Sequence, residues 1–313
     1  MKTVLSPHNG APQILVDCKC QLGEGPLWCA DSGRLYWADI EGQRLWRWSE
    51  AEGAASCALP GPASFLARGP AGTLVTAMAR GFGLIEAATG RVLALGSSLR
   101  APSGTRFNDG KTDRQGRVIA GGADLAESEP TAGLFQLSPQ GFKPLPGRFT
   151  VFNGPAFSPD GRRIYFADSP SKVIRTASYD PDSGMIGRPE PFAILGAESG
   201  YPDGMTVDAA GGLWNAEWDG WQITRYHASG EVDFRIALPV PRPTSVTFGG
   251  ADYDLLFITS ARSRLDAAEL TAAPLSGNLF ALRPGATGLA EAAAVLPRDS
   301  QGWDSQGWIR AGG

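Results

Sequence analysis

Six positions along the chain carry an oxygen-bearing side chain at the head of a recurring phrase: Glu24, Ser64, Asn108, Asn153, Asp203 and, less cleanly, Thr244 or Ser245. A short apolar run follows each head, and then a glycine-bearing turn. The turn glycine lies eight residues beyond Ser64, Asn108, Asn153 and Asp203 (at Gly72, Gly116, Gly161 and Gly211) and nine beyond Glu24, at Gly33. Two carboxylates, two amides and hydroxyls form an oxygen-only set, with neither sulfur nor imidazole. Such ligands suit a hard or borderline divalent cation: calcium, magnesium, manganese or ferrous iron. Only two histidines exist, His8 and His227, which all but excludes a histidine-based triad or a histidine-rich zinc site. Taken singly, Asn or Asp before Gly is a turn residue. The same phase in four units, with apolar residues after each head, assigns the heads a shared role instead. Asp109, Asp160 and Asp208 read as turn or surface carboxylates.

The elements that position these residues follow from the period. Units of about 40–50 residues argue for a propeller or solenoid. Four short strands per unit, six times over, make an all-β, six-bladed β-propeller with antiparallel strands. The first strand of each blade lines the central channel, so the six heads converge at one mouth. Loops between second and third strands bring Asp39, Glu41, Arg80, Asp124, Asp168, Trp218, Asp219 and Arg262 to the rim. Trp218 and Trp221 flank a rim loop and are candidates for a pocket wall; the other tryptophans pack between blades. The segment 13–18 is expected to complete the last blade and close the ring. The chain therefore divides into a loose tail (1–12), one propeller domain (13–285) and a C-terminal extension packing on it (286–313).

Composition agrees. Gly 41 and Pro 24 in 313 residues suit many tight turns, and 19% charged residues argue against long solvated helices. The net charge of −4 comes without a basic patch, so nucleic acid and anionic membrane are poor partners. No apolar run approaches the ~18–20 residues of a membrane span, and the N-terminus lacks the apolar region of a secretory signal. Cys18, Cys20, Cys29 and Cys57 form no regular framework and read as reduced, mostly buried thiols of a cytoplasmic protein. Oligomeric state is not legible.

Several stretches resemble the regucalcin (senescence marker protein), gluconolactonase and sugar-lactone hydrolase family. They are Leu22-Gly23-Glu24-Gly25-Pro26-Leu27-Trp28, Arg106-Phe107-Asn108-Asp109-Gly110-Lys111-Thr112-Asp113, Asn153-Gly154 with Tyr165-Phe166-Ala167-Asp168-Ser169, and Pro202-Asp203-Gly204-Met205. Pro243 to Gly250, Thr259-Ser260-Ala261 and Ser276 to Phe280 add to these, in order along roughly 13–285. The resemblance implies a six-bladed propeller, reached independently from the repeat count. It implies that Glu24, Asn153 and Asp203 hold one divalent ion (calcium, zinc, manganese, magnesium or ferrous iron) and that Arg106 and Asn108 bind substrate. The expected activity is metal-dependent hydrolysis of a sugar (aldono-) lactone to the aldonic acid, with Asp203 also taking the proton of the attacking water. One departure concerns the substrate-contacting Glu that the family carries in the segment after Gly121. Counting places Ala126 there, and Asp124 is taken as the substitute ahead of Glu127. Two other readings stand beside this one. A non-enzymatic calcium-binding or interaction propeller is disfavoured by Arg106 next to Asn108. A hydrolase of phosphotriesters or aromatic lactones would be favoured by a mouth lined with Trp218, Trp221, Phe82 and Phe107.

Overall fold

At Asn108, Asn153 and Asp203 the repeated phrase folds as a hairpin whose turn is held by the side chain five beyond the head. Asp113 Oδ1 accepts from the backbone N–H of Gln115 (2.9 Å) and Arg117 (2.8 Å). Asp208 does the same for Ala210 (3.0 Å) and Gly212 (2.9 Å), and Ser158 Oγ accepts from Arg163 N (3.0 Å). The eighth residue must then take positive φ, as Gly116, Gly161 and Gly211 do at 92°, 68° and 86°. Head-to-glycine spacing thus encodes a strand followed by a side-chain-capped turn.

Six hairpins, each extended outward, make six antiparallel sheets in a computed structural model that describes residues 10–79, 81–94, 101–297 and 308–309. Blade one is Gly23–Cys29, Arg34–Asp39, Arg44–Ser49 and Gly53–Ala58. Blade two is Ala67–Arg68, Thr73–Met78, Gly81–Glu86 and Val92–Ala94, with Trp308–Ile309 as a fifth, outer strand. Blade three is Thr105–Thr112, Val118–Asp124, Ala132–Ser138 and Gly141–Phe149; blade four is Phe152–Phe157, Arg163–Asp168, Val173–Ser178 and Glu190–Ile194. Tyr201–Val207, Leu213–Trp218, Gln222–Tyr226 and Val232–Ala237 form blade five. Pro243–Gly249, Leu255–Ser260 and Leu279–Leu282 form blade six, and Gln13–Val16 completes it from the other end of the chain. That pairing closes the ring as the sequence predicts. Buried aliphatic and aromatic side chains fill the wedges between blades; Phe65, Phe82, Phe107 and Phe135, for example, knit blade two to blade three. Among the described residues no helix is long and apolar enough to cross a membrane.

At the end of the blades remote from the heads, residues 286–297 run across several units. Ala209 N donates to Thr287 O (2.8 Å), Val295 N to Gly116 O (2.8 Å) and Gly288 N to Tyr253 O (2.8 Å). Lys111 pairs with Glu291 at 3.3 Å. The first nine residues, Arg80, 95–100, 298–307 and 310–313 lie outside the described residues, and with them most of the expected tail 1–12 and part of the expected extension.

Asp113 is the most heavily used of the turn residues. It is fully buried, and besides the two N–H groups it accepts from Arg117 Nε (2.6 Å) and from the hydroxyl of Tyr179 in blade four (2.6 Å). Asp113→Ala removes one partner from a buried pair and strands the other, so unfolding free energy is expected to fall by about 3 kcal/mol. Urea denaturation checks this; a loss below about 1 kcal/mol would show that the network is dispensable.

Candidate active site

The inner strands are not regular where the heads sit. Pairing with the second strand slips between Glu24 and Leu27, Phe107 and Asp109, Asn153 and Ala156, Pro202 and Met205, and Pro243 and Ser245. A bulge of this kind re-aims a side chain, and here it falls at or beside the head in five of six blades. Glycine makes the geometry possible. Gly25 has φ 56°, and a Cβ there would meet the backbone of Leu66 and Phe65 in blade two at 3.0–3.1 Å. At Gly204 a Cβ would lie 2.1 Å from Ser245 Oγ of blade six.

The heads of blades one, three, four and five converge. Glu24, Asn108, Asn153 and Asp203 line one cavity of about 390 Å³, together with Arg106. The other two heads do not reach it. The Ser64 hydroxyl donates to Ala77 O (2.9 Å) in its own blade, and Thr244 Oγ1 donates to Gly23 O across the closing blades. Ser245 packs behind Gly204. The expected rim divides similarly. Glu41, Trp218 and Asp219 line the cavity. Asp39 and Asp168 instead cap incoming backbone, at Leu22 N (3.0 Å) and Val151 N (2.8 Å) respectively. Arg262 is not part of the lining, whereas Arg242 and Arg264 are.

Asp124 is a correction. Its carboxylate accepts from Ser128 N (3.1 Å) and Thr131 Oγ1 (2.8 Å), closing its own loop, and it is not among the residues that line the cavity. Glu127, which that loop projects, lines the cavity instead. Asp109 is a second correction. It is buried, and its carboxylate accepts from Gly110 N (2.7 Å), as Glu24 Oε2 accepts from Gly25 N (3.0 Å). The missed signal is an acid followed by glycine in an inner strand: Glu24-Gly25, Asp109-Gly110, Asp203-Gly204.

A relay of hydrogen bonds sets the donor groups around the channel. Arg106 Nη1 donates to Asn108 Oδ1 (2.5 Å), and Asn108 Nδ2 donates to Asn153 Oδ1 (2.9 Å) and Phe152 O (2.8 Å). Asn153 Nδ2 donates to Ser169 Oγ (2.8 Å), whose hydroxyl donates to Pro202 O (2.7 Å), next to Asp203. Ser169, given no role from sequence, thereby fixes which end of the Asn153 amide carries the oxygen. Both amide hydrogens of Asn108 are engaged, so it offers a ligand only the remaining lone pair of its oxygen.

Three buried acids share this end of the channel. Burial, partly offset by the Gly25 N–H and by Arg106, pushes Glu24 up to about 7. Burial and the neighbouring Glu24 raise Asp109 well above the usual carboxylate range, and burial with Glu24 and Asp109 does the same for Asp203. Arg106, itself lowered by burial, is the cation that eases both Glu24 and Asp203. Buried carboxylates without matching charge are unfavourable; a divalent cation would supply that charge. Among the described residues no three His, Cys, Asp or Glu side chains form a ready metal cluster. The candidate set reaches three oxygen ligands only through the amide of Asn153. Glu24, Asp203 and Asn153 nevertheless fit such an ion in donor chemistry and in their charge deficit.

A family model described as the SMP-30/Gluconolactonase/LRE-like region matches residues 22–262. The chain belongs to this family. Members of the SMP-30/gluconolactonase-like family are thus the proper comparison. A pentonolactonase of Haloferax volcanii is 36% identical over 289 residues, covering 88% of this chain and 96% of that protein. An L-arabinolactonase of Azospirillum brasilense is 33% identical over 294 residues, covering 90% and 95%. Among solved structures, regucalcin of Agrobacterium tumefaciens, a calcium-binding protein, superposes with a TM-score of 0.85 at 30% identity, over 91% of this chain and 98% of that one. The six-bladed propeller is common ground with that structure.

Proposed function

We propose that this protein is a metal-dependent lactonase that hydrolyses a sugar (aldono-) lactone to the aldonic acid. The observation that carries the reading is the gathering of Glu24, Asn153 and Asp203 with Arg106 and Asn108 in one cavity large enough for a monosaccharide lactone. Lactonase relatives spanning nearly the whole chain support it. A divalent ion held by Glu24, Asn153 and Asp203 would polarise the lactone carbonyl and acidify a water.

The chain's own groups have these roles. Asp203, a buried carboxylate lining the cavity, accepts the proton of the attacking water. Water adds to the carbonyl carbon, the acyl–oxygen bond of the ring breaks, and the ring oxygen leaves as a hydroxyl after taking a proton. Arg106 donates to the carbonyl oxygen or ring hydroxyls, and Asn108 holds Arg106 at 2.5 Å in the orientation to do so. Of the aromatic side chains, Trp218 and Tyr201 line the cavity. Phe82 and Phe107 are in the core and Trp221 lies outside the lining, leaving Trp218 as the one aromatic of the four that the alternative reading required.

A panel of pentono- and hexonolactones, aryl esters and phosphotriesters tests the reading. Aldonolactones should open at least about 100-fold faster in kcat/KM than the others; a preference for aryl esters or phosphotriesters would overturn it. Arg106→Ala should raise KM about 10-fold and change kcat less, the signature of lost uniform binding. An unchanged KM in steady-state kinetics would make Arg106 structural.

A further inference from the structure

Resting on the lactonase reading, we propose that the Glu127–Arg264 pair is a specificity filter that admits neutral polyhydroxylated lactones and rejects those carrying an anionic group. Glu127 comes from the loop after the second strand of blade three, Arg264 from the loop after the second strand of blade six, and they meet across the mouth. Arg264 Nη1 and Nη2 contact the two carboxylate oxygens of Glu127 at 2.9 and 2.5 Å, a bidentate fork. Both residues are held at positive φ, 53° and 62°, although neither is glycine. Conformations that side-chain-bearing residues avoid cluster where function requires a fixed placement.

The charge arrangement explains the selectivity. Three guanidiniums line the cavity, and each is engaged. Arg264 is neutralised by Glu127, and Arg242 by Asp219 (2.5 Å) with Ser263 O as a second acceptor. Arg106 donates to Asn108 Oδ1 and lies in the field of Glu127 and Glu24. Glu41, hydrogen-bonded to Ser263 Oγ (2.7 Å), adds another carboxylate. A neutral polyol finds acceptors and donors on these pairs. A phosphate or carboxylate arm that reaches Arg264 must displace Glu127, and then leaves that carboxylate facing it. Selection by a built-in repulsive element is a common route to specificity. The pair is half exposed, with Arg264 at 58% and Glu127 at 31% side-chain exposure, so breaking it costs the fold little.

The test compares glucono-lactone with its 6-phosphate on metal-loaded protein. Wild type should favour the neutral lactone by about 100-fold or more in kcat/KM, and Glu127→Gln should narrow that gap about 10-fold, mainly through a lower KM for the phosphate ester. Adding Arg264→Gln should restore the gap, which a merely structural role for the loop would not do. A wild type that opens both equally, or a gap that Glu127→Gln leaves unchanged, overturns the filter while leaving the lactonase reading intact. Failure of folded protein to open either lactone overturns both.

Discussion

Asp203→Ala is expected to lower kcat/KM for lactone opening by about 10²–10⁴-fold while the propeller stays folded. The side chain stands at a bulge in the inner strand of blade five, buried, with Glu24 and Asp109 as like-charged neighbours. Its removal takes away both a proposed metal ligand and the proton acceptor. The fold does not depend on it. Its repulsion by the other acids makes it a cost to the metal-free protein, so thermal unfolding of stripped Asp203→Ala or Asp203→Asn should occur at a temperature no lower than stripped wild type. Near-normal turnover in a folded, metal-loaded variant would remove Asp203 from the mechanism.

Restoring a divalent cation to chelator-stripped protein should raise Tm by roughly 4 °C. At a free ion concentration of ~100 times Kd, linkage supplies about 2.7 kcal/mol, and a chain of 313 residues gains about 1.5 °C per kcal/mol. The shift has a structural source. Burial raises the proton affinity of all three acids, Glu24 adds to it at Asp109 and Asp203, and an ion at Glu24, Asn153 and Asp203 would relieve that imbalance. Calorimetry on wild type and Asp203→Asn in parallel checks it: wild type should shift and the variant should not. Equal shifts in both would place the ion elsewhere.

The phrase heads were legible because they combine two independent periods, the eight-residue step to a turn glycine and the recurrence of whole units. Asn153 and Asp203 stand out on both counts, Glu24 on the recurrence alone because its step is nine, and Gln13–Val16 was recognisable as a closing strand because a ring needs one. Asp109 was hidden because Asp-Gly is also the strongest short hairpin signal; only its place in mid-strand, across from Gly121, shows that it faces the channel end. Asp124 and Glu127 could not be separated by counting, since a loop of several residues presents whichever side chain its own hydrogen bonds leave over. Those bonds take Asp124 and release Glu127. Ser64 and Thr244 were plausible by phase, but a hydroxyl within reach of a backbone carbonyl is satisfied there, and no sequence pattern reports that reach. Pairs between residues far apart in the chain, such as Glu127 with Arg264 or Ser263 with Glu41, are set by ring closure and leave no local trace.

The most direct test of the central claim is proton release on adding xylono-, arabinono-, glucono- and galactonolactones to chelator-stripped protein, repeated with calcium, magnesium, manganese, zinc and ferrous iron restored one at a time. Acid release above the spontaneous rate for at least one lactone, absent from stripped protein and returning with a metal, is the predicted result. Release from no lactone with any metal, in protein that remains folded, or full release from stripped protein, would contradict the account.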